Sequence, residues 1–194
     1  AFTKNPMFSA STFVHLPKTA ISYIDCRGTQ GASAIPTTGI CATLTSKVSS
    51  SLNGSYFDLP TVSMWEVAIR AGVSTKWPCG DTYDGLDEYA WTSSNSDGAI
   101  HPVGQLKPNN WGIYDGIGNC YDHARDVWNA ADLAVLQPNG QTAITTGTAT
   151  SCNFMGGAID TPRSHGCHRL AARSSNTMNS QGARWGFRLA YIVP

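Results

Sequence analysis

Helical periodicity in this sequence stops at Gly72. Beyond it, residues 73–157 carry turn signals at Asp84-Gly85, Asp97-Gly98, Pro108-Asn109-Asn110 and Pro138-Asn139-Gly140. Gly, Pro, Asn and Asp at such intervals leave room for loops and short strands and for no long helix. Two helices come earlier. Ile40, Leu44, Val48 and Leu52 fall at four-residue spacing on one stripe, with Thr37 or Thr38 as cap and Asn53-Gly54 as stop. The second is clearer: Pro60-Thr61 marks its start, Val62, Trp65, Ala68 and Ile69 line one face, and Gly72 ends it. Thr12 to Ile24 reads as strand-forming, interrupted by Pro17, and Trp185 to Val193 reads as a final strand. The expected fold class is α+β, a small antiparallel sheet with two helices and long ordered loops. Residues 1–36 stand apart as an N-terminal segment, strand-forming or serving assembly, ahead of a folded domain over 37–194.

Charge narrows the partners. Lys+Arg total 13 and Asp+Glu total 13, so the formal net charge is zero and charged residues make up 13% of the 194, about half the usual share of roughly 25%. No global field favours a polyanion or a membrane surface, so nucleic acid is not an expected partner. No run approaches the roughly 18 apolar residues of a membrane span, and membrane insertion is not expected. Aromatics at 10%, including six Trp, with so little charge disfavour an open, solvated chain. The six Cys, at 26, 41, 79, 120, 152 and 167, contain no C-x-x-C pair. Free and mostly buried thiols are the expected state, with one or more disulfides as the alternative.

Several segments resemble one family. Asp58-Leu59-Pro60-Thr61 through Trp65-Glu66 to Ala71-Gly72 resembles the L-P-T-x-x-x-W-E-x-A-x-R-x-G signature of formylglycine-generating enzymes, the sulfatase-modifying factors. Trp77-Pro78-Cys79-Gly80-Asp81 is similar to that family's Y-P-W-G-D. His101-Pro102-Val103-Gly104, Pro108-Asn109, Trp111-Gly112-Ile113-Tyr114-Asp115 and Gly118-Asn119 resemble its H-P-V-G…P-N-x-W-G-L-Y-D-M-x-G-N. Gly156-Gly157, Ala171-Ala172-Arg173 and Gly186-Phe187-Arg188 match G-G-S-W, A-A-R and G-F-R, in order and spacing, over about residues 37–190. The resemblance implies a C-type lectin-like scaffold in the 37–194 domain. It implies that Trp65, Trp111 and Asn119 hold loops in place, and that Arg70, Arg173 and Arg188 pair with carboxylates or loop carbonyls.

The resemblance also says where chemistry would be. The enzymes of the family use two thiols spaced C-x-x-x-x-C before A-A-R; counted back from Arg173, those positions are Asp160 and His165. Neither is a thiol, so formylglycine generation and bound copper are not expected. An altered enzyme remains the alternative, built on Ser164-His165-Gly166-Cys167-His168, where His165, Cys167 and His168 offer imidazole and thiol groups to a metal or a Cys/His pair. Calcium is the better metal candidate. Carried over, its ligands are the Asp115 and Asp122 side chains and the Gly118 and Cys120 carbonyls, hard oxygens of the kind calcium takes; otherwise Asp115 and Asp122 are turn and capping residues. Asp122 stands where the family usually has Glu, and the second family calcium site does not carry over, because Trp91 replaces its Asn.

One branch of the family is not enzymatic. The variable proteins of diversity-generating retroelements display a ligand-binding surface between G-G and G-F-R, mutated at adenines, typically in Asn codons, which cannot yield Lys, Glu, Gln, Met or Trp. Residues 158–184 contain no Lys, Glu or Trp, and from that set only Met178 and Gln181. This chain resembles that branch most, with the scaffold motifs present and the thiol pair missing. The implied function is non-enzymatic binding of a macromolecule, a protein or glycan on a cell surface, by a virion- or cell-surface protein able to self-associate into a homo-oligomer. The expected displayed residues are Ala158, Ile159, Asp160, Thr161, Ser164, His165, His168, Ser174, Asn176 and Asn179.

Overall fold

The structure is a computed structural model and describes residues 16–29, 31–32, 34–48, 53–128 and 150–193. The predicted second helix forms as read. Thr61, in extended geometry, accepts the Met64 N–H on its hydroxyl at 3.1 Å and caps a helix, α3, over Val62–Arg70. Val62, Trp65 and Ile69 are buried, and Ala71 ends the helix in left-handed geometry just before Gly72. The first predicted helix, α2, spans Gly39–Val48; Leu52 lies outside the described residues. Its contacts are rotated from the expected stripe. Cys41 is the residue it buries fully, while Val48 is 39% exposed. The Thr45 hydroxyl accepts the Phe57 N–H at 2.9 Å, which fixes that rotation. A Cβ on Gly39 would sit 2.7 Å from the Cys26 carbonyl, so only glycine lets this helix start so close to its neighbour.

That neighbour corrects the reading of the N-terminal segment. Tyr23–Arg27 form a short helix, α1, instead of strand. Ser22 and Asp25 make a reciprocal capping box, with Ser22 N–H donating to Asp25 at 2.8 Å and Asp25 N–H to Ser22 at 3.1 Å, and this local pairing overrides the β-branched composition. Residues 12–15 of the expected strand lie outside the described residues. Tyr23 and Cys26 share a buried cluster with Cys41, Leu59 and Cys152, so the boundary at 36/37 separates no second core.

Two sheets organise the rest. β1 (Tyr56–Asp58) pairs antiparallel with β6 (Ala190–Ile192). β2 (Tyr121–Val127), β3 (Ser151–Met155), β4 (Ser174–Thr177) and β5 (Trp185–Gly186) form a second sheet in the order β4-β3-β2-β5, antiparallel except that β5 runs parallel to β2. The single final strand read from sequence is therefore two short ones in different sheets. Between them Arg188 turns inward, its Nη2 donating to the Asp115 carbonyl at 2.8 Å. In register, Tyr121 faces Trp185, His123 faces Phe154, Phe154 faces Ser174, and Cys152 faces Asn176. Alternation puts these seven side chains on one face of the sheet and Asp122, Ala124, Asn153, Met155 and Gly186 on the other. Ala124 and Met155 pack with Trp65 of α3 in the larger buried cluster. The residues around α1 cover the Cys152 end of the first face.

The helices and strands are joined by buried charge. Arg27 and Asp58 are both 0% exposed, paired through Nε–Oδ1 at 2.5 Å and Nη2–Oδ2 at 3.0 Å. Arg125 Nη1 reaches the same carboxylate at 3.3 Å. Tyr23 donates its hydroxyl to the Arg125 carbonyl at 2.9 Å and accepts from Arg27. Burial pushes the Tyr23 phenol up to about 12, so it remains a donor across the physiological range. One carboxylate thus ties α1, β1 and β2 together. Breaking a buried pair by removing one partner leaves the others uncompensated and costs about 3–5 kcal/mol. Asp58→Asn is expected to lower unfolding free energy by that amount in urea titration; a loss below about 1 kcal/mol would show that the cluster is dispensable.

Candidate functional site

The loops that frame the site are held by side-chain amides where no ladder exists. Asn119, 2% exposed and in left-handed geometry, accepts the His101 N–H and donates to the His101 carbonyl, both at 3.0 Å. Its own N–H donates to the Trp91 carbonyl at 2.8 Å, and its carbonyl accepts from Ile159 at 3.3 Å. Asn119 thereby joins three loops to the start of the 158–168 segment. Asn109 does the same for the C-terminal end of α3, donating to the Ala68 and Ile69 carbonyls at 2.8 and 3.0 Å. Trp91 stacks on His101 with ring centroids 3.7 Å apart and planes within 9°. Trp65 donates its indole N–H to Asp122 at 2.9 Å. Arg70 and Arg173 both pair with Glu66, at 2.8 and 3.7 Å. Trp111 departs from its expected loop-holding role: it is 54% exposed.

Above this frame, the first face of the four-stranded sheet is half-open at its Tyr121 end. Tyr121, Phe154 and Trp185 are each partly buried and contact one another, with centroids 4.8, 4.9 and 6.0 Å apart. Trp185 lies against Gly182, where any Cβ would collide with the indole. The 158–168 segment borders this aromatic floor. Asp160 pairs with Arg184, each side chain 41% exposed. Ser174 and Asn176 extend the same face along β4. Sequence reasoning missed the floor. Tyr121 and Phe154 sit on strands β2 and β3, inside the stretch expected to hold loops and short strands but with no strand bounds assigned, and Trp185 opens the expected final strand; no local pattern pairs the three rings across strands.

The ten residues expected on display are not equivalent. Ala158, Ile159 and His168 are buried, at 0%, 5% and 0% exposed, and are corrected to interior positions. His168 fills the space against Gly157, whose φ of +74° and missing Cβ accommodate the ring. Thr161 is half-buried, its hydroxyl donating to the Ala158 carbonyl at 2.8 Å and lying 3.2 Å from His168 Nε2, so it pins the turn. Asp160, Ser164, His165 and Asn179 are exposed, and Ser174 and Asn176 are half-buried. Asn179 borders a separate cleft with Ile24 and Met178, toward the α1 end. The exposed β4 residues are Ser175 and Thr177, on the opposite face from Ser174 and Asn176.

The Ser164–His168 cluster does not converge. His165 Nδ1 accepts the Cys167 N–H at 3.2 Å and caps a one-turn 3-10 helix, while His168 points inward. Cys167 Sγ lies 3.9 Å from His168 Nδ1. Burial raises the Cys167 thiol and lowers the His168 imidazole, so both shifts favour the neutral forms over a thiolate–imidazolium pair. Asp160 and His165, the positions of the family's two thiols, bring no sulfur. All six cysteines are free thiols; Cys26, Cys41, Cys120 and Cys152 are buried.

The expected calcium ligands lie on one segment, and Asp115, Cys120 and Asp122 border a cleft of about 360 Å³. Asp122, 5% exposed, is taken by Trp65 and by Arg188, whose Nε donates to Oδ2 at 2.5 Å. Asp115 Oδ2 accepts the Gly104 N–H at 2.6 Å, from left-handed geometry. Burial raises the Asp115 carboxyl. Calcium takes about six to eight oxygens; here a guanidinium already stands against the buried carboxylate. Among the described residues no group of three or more His, Cys, Asp and Glu is arranged to hold a metal. Arg188 would compete with a divalent ion for Asp122, and the geometry gives Asp115 and Asp122 turn-holding and ion-pair contacts.

Comparison with known proteins agrees with this architecture. The bovine formylglycine-generating enzyme is 29% identical over 152 residues, covering 68% of this chain and 38% of its own length. The chain thus spans well under half of that relative. PvdO from Pseudomonas aeruginosa superposes with a TM-score of 0.72 at 23% identity, over 92% of this chain and 63% of that one. Treponema denticola variable protein 1 superposes with a TM-score of 0.58 at 29% identity, over 72% of this chain and 49% of its own. The fold is C-type lectin-like, as in these relatives. The sulfatase-modifying factor enzyme 1-like domain matches residues 9–192, and the chain belongs to that family.

Proposed function

We propose that this chain is a non-enzymatic binding protein that presents a diversified surface, drawn from about residues 158–184, on a rigid lectin-like frame. The carrying observation is the half-open floor of Tyr121, Phe154 and Trp185 bordered by the Asp160–Arg184 pair. Aromatic anchors locked by their neighbours supply contact area at low entropic cost, and the exposed Asp160, Ser164 and His165 beside them supply adaptable hydrogen bonds. The likeness to the Treponema variable protein supports the same reading. The ligand is a macromolecule, a protein or glycan presented on a cell surface, and the chain works at a virion or cell surface. With so few charges, recognition rests on shape and hydrogen bonds more than on electrostatic steering.

Sequencing the encoding locus tests the diversified character directly. A reverse-transcriptase gene is expected nearby, together with a near-copy of the stretch encoding residues 158–188 that differs at adenines; a locus with neither removes the retroelement reading. The enzymatic alternative rests on Cys167. Oxygen consumption with a cysteine-containing peptide and added copper(I) is expected to match the protein-free rate, and a thiol-dependent excess lost in Cys167→Ala would reinstate an enzyme. Because burial raises the Cys167 thiol, its iodoacetamide labelling, followed by peptide mass spectrometry, should be slow at neutral pH. It should accelerate only above the ordinary thiol range. Rapid labelling at neutral pH would contradict the neutral Cys167–His168 pair.

A further inference from the structure

The cleft bordered by Asp115 and Asp122 lies on the other side of the sheet from the aromatic floor, because Asp122 and Gly186 alternate with Tyr121 and Trp185. Its size, about 360 Å³, is within the roughly 300–1,000 Å³ of small-ligand sites. Its charge does not cancel. Two carboxylates face one guanidinium, and Arg188 is committed to Asp122 through Nε at 2.5 Å and to the Asp115 carbonyl through Nη2 at 2.8 Å. Asp115 Oδ2 has the Gly104 N–H, while Oδ1 has no hydrogen bond among the described residues. One half-buried carboxylate oxygen is left for a ligand.

The walls are apolar and open to solvent. Val103 and Tyr114 border the cleft while remaining 47% and 41% exposed, and Pro17 and Phe187 complete the rim. Exposed apolar side chains gathered around a negatively charged cleft fit a cation that carries its own apolar stem. A bare divalent ion would meet the Arg188 guanidinium already standing against Asp122. We propose that this cleft is a second binding site that takes a primary ammonium on an alkyl chain, such as a lysine side chain of a polypeptide. The ammonium is held by Asp115 and the stem by Val103, Tyr114, Pro17 and Phe187. The backbone geometry of Asp115, φ 53°, belongs to the left-handed region that Asp and Asn tolerate best, so Asp115→Asn removes the charge without changing the turn.

The test is an amide and indole NMR titration of the intact chain at physiological salt. The probes are n-butylammonium and Nα-acetyl-lysine-methylamide, with 1-butanol and calcium as separate arms. Both ammonium probes should shift the Gly104 amide, which donates to Asp115, and the Trp65 indole, which donates to Asp122, saturably at millimolar concentration. The Trp185 indole, on the opposite face, should not move. Asp115→Asn should weaken both probes about tenfold or more, the effect of losing one charged hydrogen-bond partner, with an unchanged melting temperature. Shift by the lysine amide alone would assign the site to polypeptide lysines; shift by both extends it to free amines, and either supports the proposal. Equal shifts with 1-butanol, or no shifts with any ammonium, overturn it. So does calcium shifting the same resonances at lower concentration and displacing the amine. None of these outcomes bears on the Tyr121–Trp185 face.

Discussion

The Asp58 carboxylate, fully buried between Arg27 and Arg125, is the junction on which the rest of the molecule hangs. From it the frame can be traced residue by residue. Arg125 lies on β2, and next to it Asp126 accepts the Val62 N–H at 2.6 Å, anchoring the first turn of α3. Four residues along, Glu66 of the same helix gathers Arg70 and Arg173. Between them Trp65 reaches Asp122, and Asp122 reaches Arg188, which separates β5 from β6. A chain with little charge has buried four of its carboxylates, Asp58, Glu66, Asp122 and Asp126, each with an ion-pair or hydrogen-bond partner. Such pairs add modest net stability; here they fix which loop meets which strand, a constraint the short strands cannot impose alone.

This arrangement would let a small sheet carry the proposed changeable surface. The residues that set the 158–168 backbone point inward: Ala158 and Ile159 into the interior, His168 into the space left by Gly157, and the Thr161 hydroxyl back onto the turn. The residues between them, Asp160, Ser164 and His165, project outward and contribute little to the core. Their exchange should leave the frame intact, since exposed substitutions away from packed features usually stay within about 0.5 kcal/mol. Asp160–Arg184 is an exposed pair of the kind worth little to stability.

The parts legible in the sequence were those with local causes. Thr61 as cap, the Val62–Trp65–Ile69 face and the stop at Gly72 all follow from periodicity and capping, and α3 matches them. The motifs around Trp65, Asn119 and Arg188 placed the frame. What was illegible depended on distant partners. The Ser22–Asp25 box made a helix of a segment whose composition favours strand. The pull of Asp115 and Asp122 on Arg188 split one expected strand into two. Within 158–184 the inward turn of Ala158, Ile159 and His168 depends on packing, such as His168 against Gly157, which the resemblance does not specify. Nor does any local motif reveal that a guanidinium sixty-six residues away reaches Asp122.

The central claim is that frame and displayed surface are energetically separate. The most direct measurement randomises Asp160, Ser164 and His165 together and scores protease resistance and thermal melting across the library, with a matched library at Ala158, Ile159 and His168 as reference. Most variants of the first library should remain folded and melt within about 10 °C of the parent, the span expected if the summed cost stays near 2–3 kcal/mol, whereas most of the second should unfold. If the two libraries lose folded members at the same rate, the surface is part of the core and the account is wrong.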